Sequence, residues 1–257
     1  NILLRRTQYR MADDGGQALE IARNFMIGKI YNQRSVINRA IRDYAERLET
    51  ERLIAVSEQL KESLQKAREA DTIEILRGNE GEAASRYFSQ FDQLILQQKE
   101  EFHFETRNRR PPLDKVNALL SFVYSLLTGM CAAALETVGL DPYAGFMHTD
   151  RPGRCSLALD LVEELRAPYA DRFVLSCINK KMVDCSDFEE KENGAVFLNE
   201  AGRKKFLSLW QSKKAEKLTH PFLQENIEWG LVPYVQALLL ARFVRGDLDG
   251  YPPFLWK

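Results

Sequence analysis

Val116-Asn117-Ala118-Leu119-Leu120-Ser121-Phe122-Val123-Tyr124-Ser125-Leu126-Leu127-Thr128-Gly129-Met130-Cys131-Ala132-Ala133-Ala134-Leu135-Glu136-Thr137-Val138 decides the fold class. The run is too long for a strand and reads as a helix. It is strongly apolar and rich in small residues, the pattern of a helix enclosed by others. Asp114 stands where an N-cap belongs and Gly139 where a C-cap glycine does.

Working outward toward the N-terminus, Phe102–Leu113 is extended and basic, closed by Pro111 and Pro112. From about Gly16, Leu19, Ile21, Ala22, Phe25, Met26 and Ile30 recur at helical intervals, and Val36, Ile37, Ala40, Ile41 and Tyr44 continue the pattern. Glu49–Leu76 is highly charged, but Leu53, Val56, Leu60 and Leu64 suit a helix laid on a neighbour. Gly78 and Gly81 are expected to break that run or to mark a close contact, since each costs about 1 kcal/mol against alanine in a helix. Helix then resumes toward Leu96.

Toward the C-terminus, a loop over Asp141–Arg154 leads to a helix over Cys155–Arg166. Asn193-Gly194 suits the tight turn of a small hairpin spanning Phe188–Leu198. Asn199 is positioned to cap a basic helix, Ala201–Lys217, and a last helix is expected over Pro221–Val244, kinked at Pro233. The aromatic tail Tyr251–Lys257 should pack down as a strap. The fold class is mainly α, a multi-helix domain with at most one small β-hairpin.

Of 257 residues, 45% are hydrophobic and 28% charged, a balance typical of globular chains. Val235–Phe243 reads as the longest apolar run, short of the ~20 residues that cross a bilayer, so no membrane partner is expected. A net charge of −1 gives no overall attraction for DNA, so any affinity must come from clusters. Candidates are Arg107, Arg109 and Arg110; Lys180 and Lys181; Arg203, Lys204 and Lys205; and Lys213, Lys214 and Lys217. Cys131, Cys155, Cys177 and Cys185 show no CxxC spacing and read as free, mostly buried thiols of a reducing cytoplasm. The sequence does not begin with Met and is expected to be part of a longer polypeptide.

Three places combine unusual local sequence with metal-ligating residue types. Glu80 sits between Gly78 and Gly81. His148 lies in Gly145-Phe146-Met147-His148-Thr149-Asp150-Arg151-Pro152-Gly153-Arg154, a turn-rich loop. That loop feeds a helix on which Asp160 precedes Glu163 by three residues and Glu164 by four, a spacing that places carboxylates on one face. Two carboxylates and an imidazole suit Mn²⁺ or Mg²⁺ better than a closed zinc site. By spacing alone the three acids read first as a solvated helix face. A helical phosphohydrolase is disfavoured because only His103, His148 and His220 are present.

These segments resemble the CRISPR adaptation endonuclease/integrase, the first of the Cas proteins, in its helical catalytic domain. Arg77-Gly78-Asn79-Glu80-Gly81-Glu82-Ala83-Ala84 is similar to the family's Arg-Gly-x-Glu-Gly-x-x-Ala element. His148-Thr149-Asp150-Arg151-Pro152 with Ser156–Glu164 resembles its His-Thr-x-x-Pro element and acidic helix. Asn117–Ser121 with Tyr124, Pro233–Arg242, and Arg245–Asp249 with Tyr251–Trp256 complete the likeness, which is greatest to type I, subtype C.

The resemblance implies a divalent metal, Mg²⁺ or Mn²⁺, bound by Glu80, His148 and either Glu163 or Asp160. It implies the joining of prespacer 3′-hydroxyls to a CRISPR repeat by transesterification. The implied partners are double-stranded DNA, a second copy in a homodimer, a small second Cas protein and a fused or bound adaptation nuclease. DNA would be met by Arg109, Arg110, Arg151 and Arg154. Residues 1–15 would be the end of the family's N-terminal β-domain and its linker, and residues 16–257 the catalytic domain. The competing reading is a non-catalytic helical scaffold for DNA or partner proteins, which keeps the basic patches but scatters Glu80, His148 and Glu163.

Overall fold

The structure, a computed structural model, describes residues 1–256, so Lys257 of the expected strap lies outside the described residues. In chain order its elements are α1 (Ile2–Asp13), α2 (Gly15–Tyr44), α3 (Thr50–Glu69), α4 (Ile73–Phe88), α5 (Lys115–Val138), α6 (Ser156–Leu165), α7 (Arg172–Asn179), β1 (Phe188–Glu190), β2 (Val196–Leu198), α8 (Glu200–Ala215), β3 (Lys217–Thr219), β4 (Asn226–Glu228) and α9 (Val232–Val244). A π-helical turn, Arg166–Asp171, joins α6 to α7. Such turns change the phase of a helix and recur at functional sites.

The central helix forms as its sequence predicts. Asp114 accepts the Asn117 N–H at 2.7 Å, and Gly139 ends the helix at φ 93°, a conformation that glycine adopts without strain. Val116, Leu119, Leu120, Val123 and Leu127 are fully buried, each contributing about 1.5–3 kcal/mol of apolar burial. α5 packs against α6 and α9, while α2 packs against α3, α4 and the other side of α6. The short acidic helix α6 is thereby held between the two longest apolar faces. One expectation is corrected here: α5, not Val235–Phe243, is the long apolar element. Its 24 residues and mean hydropathy of 1.9 would suffice to cross a membrane, but half of that window is buried inside the protein, as befits a core helix.

The first residues, Ile2–Asp13, form a helix in which Leu4 and Gln8 are buried. Gln8 is fully buried and donates to the carbonyls of Asp141 (2.8 Å) and Ala144 (2.9 Å), clamping the loop that leads to His148. Gly78 and Gly81 do not break the chain, since both lie inside the continuous helix α4. A Cβ added at either would meet nothing within 4 Å, so no close contact within the described residues explains them.

β1 and β2 pair as the expected hairpin, Glu189 opposite Phe197, with Gly194 at positive φ in the turn. A second hairpin stands where helix was expected. Leu218 pairs with Ile227, and α9 begins only at Val232. Pro233 therefore opens that helix instead of kinking it, since a missing N–H costs nothing in the first turn. The strap packs as expected, with Tyr251, Phe254 and Trp256 buried. All four cysteines are free, but only Cys131 and Cys177 are buried.

Candidate metal centre

Asp160, Glu163 and Glu164 are not a solvated face: all three are buried, at 0, 5 and 0% exposure. A buried carboxylate must be hydrogen-bonded or paired, and each of these has its own solution. Asp160 Oδ2 accepts the N–H groups of Phe146 (2.7 Å) and Met147 (3.1 Å), and Oδ1 accepts that of His148 (3.0 Å). The same Oδ1 lies 2.6 Å from Nδ1 of His148. Both oxygens of Asp160 are thus engaged in holding the loop and its ring. Gly145 makes this possible, because a Cβ there would sit 2.7 Å from Cβ of Ser156 and 3.0 Å from Oδ2 of Asp160. With Nδ1 committed to Asp160, Nε2 is the nitrogen of His148 left for other chemistry.

Glu164 looks the other way. It accepts from the Tyr251 hydroxyl, from Nε2 of Gln236 (2.8 Å) and from the Phe254 N–H (2.9 Å), tying α6 to the strap. Burial pushes its carboxyl up to about 7, against the lowering effect of those donors. Above it a Cβ on Gly28 would lie 2.8 Å from Cβ of Glu164, so this glycine allows α2 to press onto α6.

That close approach delivers Lys29, the next residue of α2, to the site. The residue is 3% exposed, and its ammonium contacts Oε1 of Glu80 and lies 2.6 Å from Oε2 of Glu163. Glu80 and Glu163, from α4 and α6, therefore meet across one lysine. Arg166 reaches Oε1 of Glu163 at 3.3 Å. Burial pushes the Glu163 carboxyl up, but Arg166, Lys29 and His148 outweigh it and hold it at about 2. Among the described residues Oε2 of Glu163 meets the Lys29 ammonium and no other donor. Arg77, one turn before Glu80, donates to the Met147 carbonyl and to Oγ1 of Thr149 (3.0 Å), fastening α4 to the His148 loop.

Lys29, Glu80, Arg107, Arg109, Tyr124, Arg166 and Asp171 line a cavity of about 460 Å³. On its wall Asp171 accepts the hydroxyls of Tyr87 (3.1 Å) and Tyr124. Burial raises the Asp171 carboxyl to about 6, although the two hydroxyls, Arg166 and Arg107 all pull it down. The guanidinium groups of Arg166 and Arg107 lie 4.6 and 5.3 Å from the Tyr124 ring centroid. Of the four arginines expected to meet DNA, Arg109 lines this cavity. Arg110 is exposed beside it in sequence, Arg151 borders a separate depression with Tyr9 and Asp141, and Arg154 is half-buried at the start of α6.

Among the described residues no three His, Cys, Asp or Glu side chains already form a metal cage. The donor types nevertheless fit a hard divalent ion: Glu163 presents a buried, poorly satisfied oxygen, Glu80 a second carboxylate, and His148 a ring oriented by Asp160 in the manner of an outer-shell carboxylate. Sequence reading passed over Lys29 and Arg166. The signal for Lys29 was a single cation on the apolar face formed by Phe25, Met26, Ile30 and Val36, and for Arg166 its place one turn after Glu163.

The description "CRISPR associated protein Cas1" matches residues 1–212. CRISPR-associated endonuclease Cas1 1 of Chlorobaculum tepidum is 50% identical over the whole chain, which spans 75% of that protein. A CRISPR-associated exonuclease Cas4/endonuclease Cas1 fusion of Geobacter sulfurreducens is 37% identical over the whole chain and 46% of its own length. Among solved structures, a casposase bound to integration product superposes over the whole chain and 69% of its own, with TM-score 0.86 at 26% identity. A Cas6-RT-Cas1–Cas2 complex superposes with TM-score 0.84 at 25% identity, over the whole chain and 27% of the longer protein.

Proposed function

The chain belongs to the CRISPR-associated Cas1 family, and from that premise we propose that it is a divalent-metal-dependent DNA endonuclease/integrase of CRISPR adaptation. One observation carries the reading: Glu80 and Glu163 face each other across Lys29, and the His148 ring, fixed by a buried aspartate, is near enough to help hold the Glu163 carboxyl down. A scaffold has no need of two carboxylates gathered on one buried lysine that itself lines an arginine-walled cavity.

In this reading Glu80, Glu163 and Nε2 of His148 hold Mg²⁺ or Mn²⁺, and Asp160 positions His148 rather than binding the ion itself. The ion, when bound, lowers the pKa of the attacking hydroxyl and stabilises charge on the phosphate. Lys29 helps keep Glu163 ionised and holds it close to Glu80, and its ammonium can also meet a phosphate oxygen. Arg166, braced on Glu163 and on the Tyr124 ring, supplies a second fixed positive charge where negative charge develops. Arg107 and Arg109 at the cavity wall hold the DNA backbone, with Arg110, Arg151 and Arg154 as outer contacts.

The substrates proposed are a prespacer, whose 3′-hydroxyl attacks, and the repeat DNA that receives it, both in the cytoplasm. A second copy, a small second Cas protein and an adaptation nuclease are the proposed partners. The solved complex named for Cas1 and Cas2 and the Cas4/Cas1 fusion support the last two. The test is Mn²⁺-dependent transfer of a labelled DNA fragment into a repeat-bearing plasmid. His148→Ala and Glu163→Gln should each abolish it; unchanged transfer in either defeats the assignment.

A further inference from the structure

A second cavity, of about 350 Å³, opens farther along α2. Lys29 and Gln33 line the first cavity, and Val36 and Ala40 line the second. These positions form one stripe of the helix. Arg39, ten residues beyond Lys29, places the second cavity about 15 Å along the axis.

Arg39, Arg47, Arg172 and Lys180 line it against one carboxylate, Asp43. That acid is already shared: it lies 3.4 Å from Arg39 and 2.9 Å from Arg42. Arg172 is only half-exposed, and among the described residues neither it nor Lys180 has an ion pair or side-chain hydrogen bond. Arg172 instead rests its guanidinium 4.2 Å from the Trp256 ring centroid, with Arg39 at 5.0 Å from the same centroid. Its affinity for a proton is lowered to a pKa of about 10, by burial first and by Arg39 second. Two guanidinium groups gathered on one indole, with a lysine beside them, form a site that an anion would relax. Leu48, Leu94, Leu96 and Leu175 form an apolar part of the wall, Gln97, Ser176 and Asn179 a neutral polar part, and Tyr44 stands 46% exposed.

We propose that this cavity binds one unpaired nucleotide, its phosphate held by Arg39, Arg172 and Lys180 and its base against the leucine wall and Tyr44. Cations beside apolar and aromatic platforms are the recurrent solution for single-stranded nucleic acid, whereas a duplex does not fit a space of this size. The ligand chemistry is a nucleotide phosphate, from a bound strand or from a free mononucleotide. The strand assignment rests on the DNA-handling reading above, because the cavity follows the reaction centre along the same helix stripe. It does not depend on the metal.

The experiment therefore uses the whole chain in excess chelator, where metal chemistry plays no part. Affinity for a fluorescent oligothymidine of about 12 nucleotides is measured against salt for the wild type, Lys180→Gln and Arg172→Gln. Each variant should bind about five- to tenfold more weakly, with the salt slope reduced by about 0.7 for the cation lost. Lys180 is exposed and unpaired, so its variant keeps the fold even if Arg172→Gln does not. Unchanged affinity and slope in Lys180→Gln overturn the proposal, as does equal competition by an oligoglutamate peptide of matched charge, which would mark an acidic-protein site. A rise in melting temperature with thymidine monophosphate, lost in Lys180→Gln, assigns the site to free nucleotides, and an effect of the oligomer alone assigns it to a strand. Loss of oligonucleotide binding in these variants with transfer intact in the metal assay, or the reverse, separates this site from the metal centre.

Discussion

Asp160 grips His148 twice through a single oxygen: Oδ1 lies 3.0 Å from the backbone nitrogen and 2.6 Å from Nδ1 of the ring. Loop and imidazole are therefore set by one carboxylate. Asp160→Asn should lower Mn²⁺ affinity by about 10- to 100-fold, as loss of an outer-shell carboxylate does. It should also lower stability by about 1–3 kcal/mol, because an amide cannot accept from all the groups around it. Metal titration of transfer activity, beside a urea melt, checks both. Glu163→Gln should differ by abolishing activity at every Mn²⁺ concentration.

Lys29→Met removes the one cation that sits between Glu80 and Glu163. Breaking a buried pair in this way costs about 3–5 kcal/mol, and a divalent ion should restore much of it by binding the native state. The expected result is a low melting temperature in chelator and a Mn²⁺-induced rise larger than that of the wild type. A variant that melts low but gains no more from Mn²⁺ than the wild type would separate Lys29 from the metal ligands.

Asp171 gives a pH signature. Its folded pKa is about 6 against an ordinary 3.8, with burial as the leading cause. A carboxyl raised on folding lets the unfolded chain ionise first, so stability falls as pH rises from about 4 to about 6 and stays lower above that. Asp171→Asn cannot ionise. Its urea midpoint, relative to the wild type, should therefore climb across that window and level off near pH 7. A constant difference from pH 4 to 8 would exclude Asp171 as the titrating group.

Two glycines predict opposite outcomes. Gly28→Ala drives a methyl to within 2.8 Å of Cβ of Glu164 and should destabilise by about 1–3 kcal/mol, as overpacking does. It should also pull Lys29 away from Glu163, lowering transfer activity. Gly81→Ala meets nothing within 4 Å and should stabilise by about 0.4–1 kcal/mol, a melting-temperature rise of roughly 2–4 °C per kcal/mol. Calorimetry on the two variants tests the pair.

The helices were legible because their apolar periodicity is strong, as in Ile21–Ile37 and Val116–Leu135, and because Asp114 and Gly139 carry unambiguous cap chemistry. Segments whose structure depends on distant partners were not. The helix of the first residues is anchored by Gln8, which reaches the carbonyls of Asp141 and Ala144, groups far away in sequence. Likewise the β3–β4 pairing was hidden in a stretch with a helix-like tail. At the candidate site, residue types and spacing marked Glu80, His148 and the three acids of α6 without deciding between a site and a solvated face; the resemblance narrowed the acids to Glu163 or Asp160 and left their division of labour open. Burial resolves the helix face: Asp160 turns to the loop, Glu163 to Lys29 and Glu164 to the strap, although all three share one short helix.

The strap has a consequence for the rigidity of the site. Asn32 of α2 donates to the Phe254 carbonyl and accepts from the Trp256 N–H, while Glu164 of α6 accepts from Phe254 and Tyr251. Asn32 also donates to the Glu164 carbonyl at 2.6 Å, so one amide ties α2, α6 and the strap together. Without Tyr251–Trp256, Glu164 would lose two of the three donors to its side chain and Asn32 would keep only its bond to α6. Lys29 and Glu163 ride on those two helices, so the strap acts as a latch on the facing carboxylates.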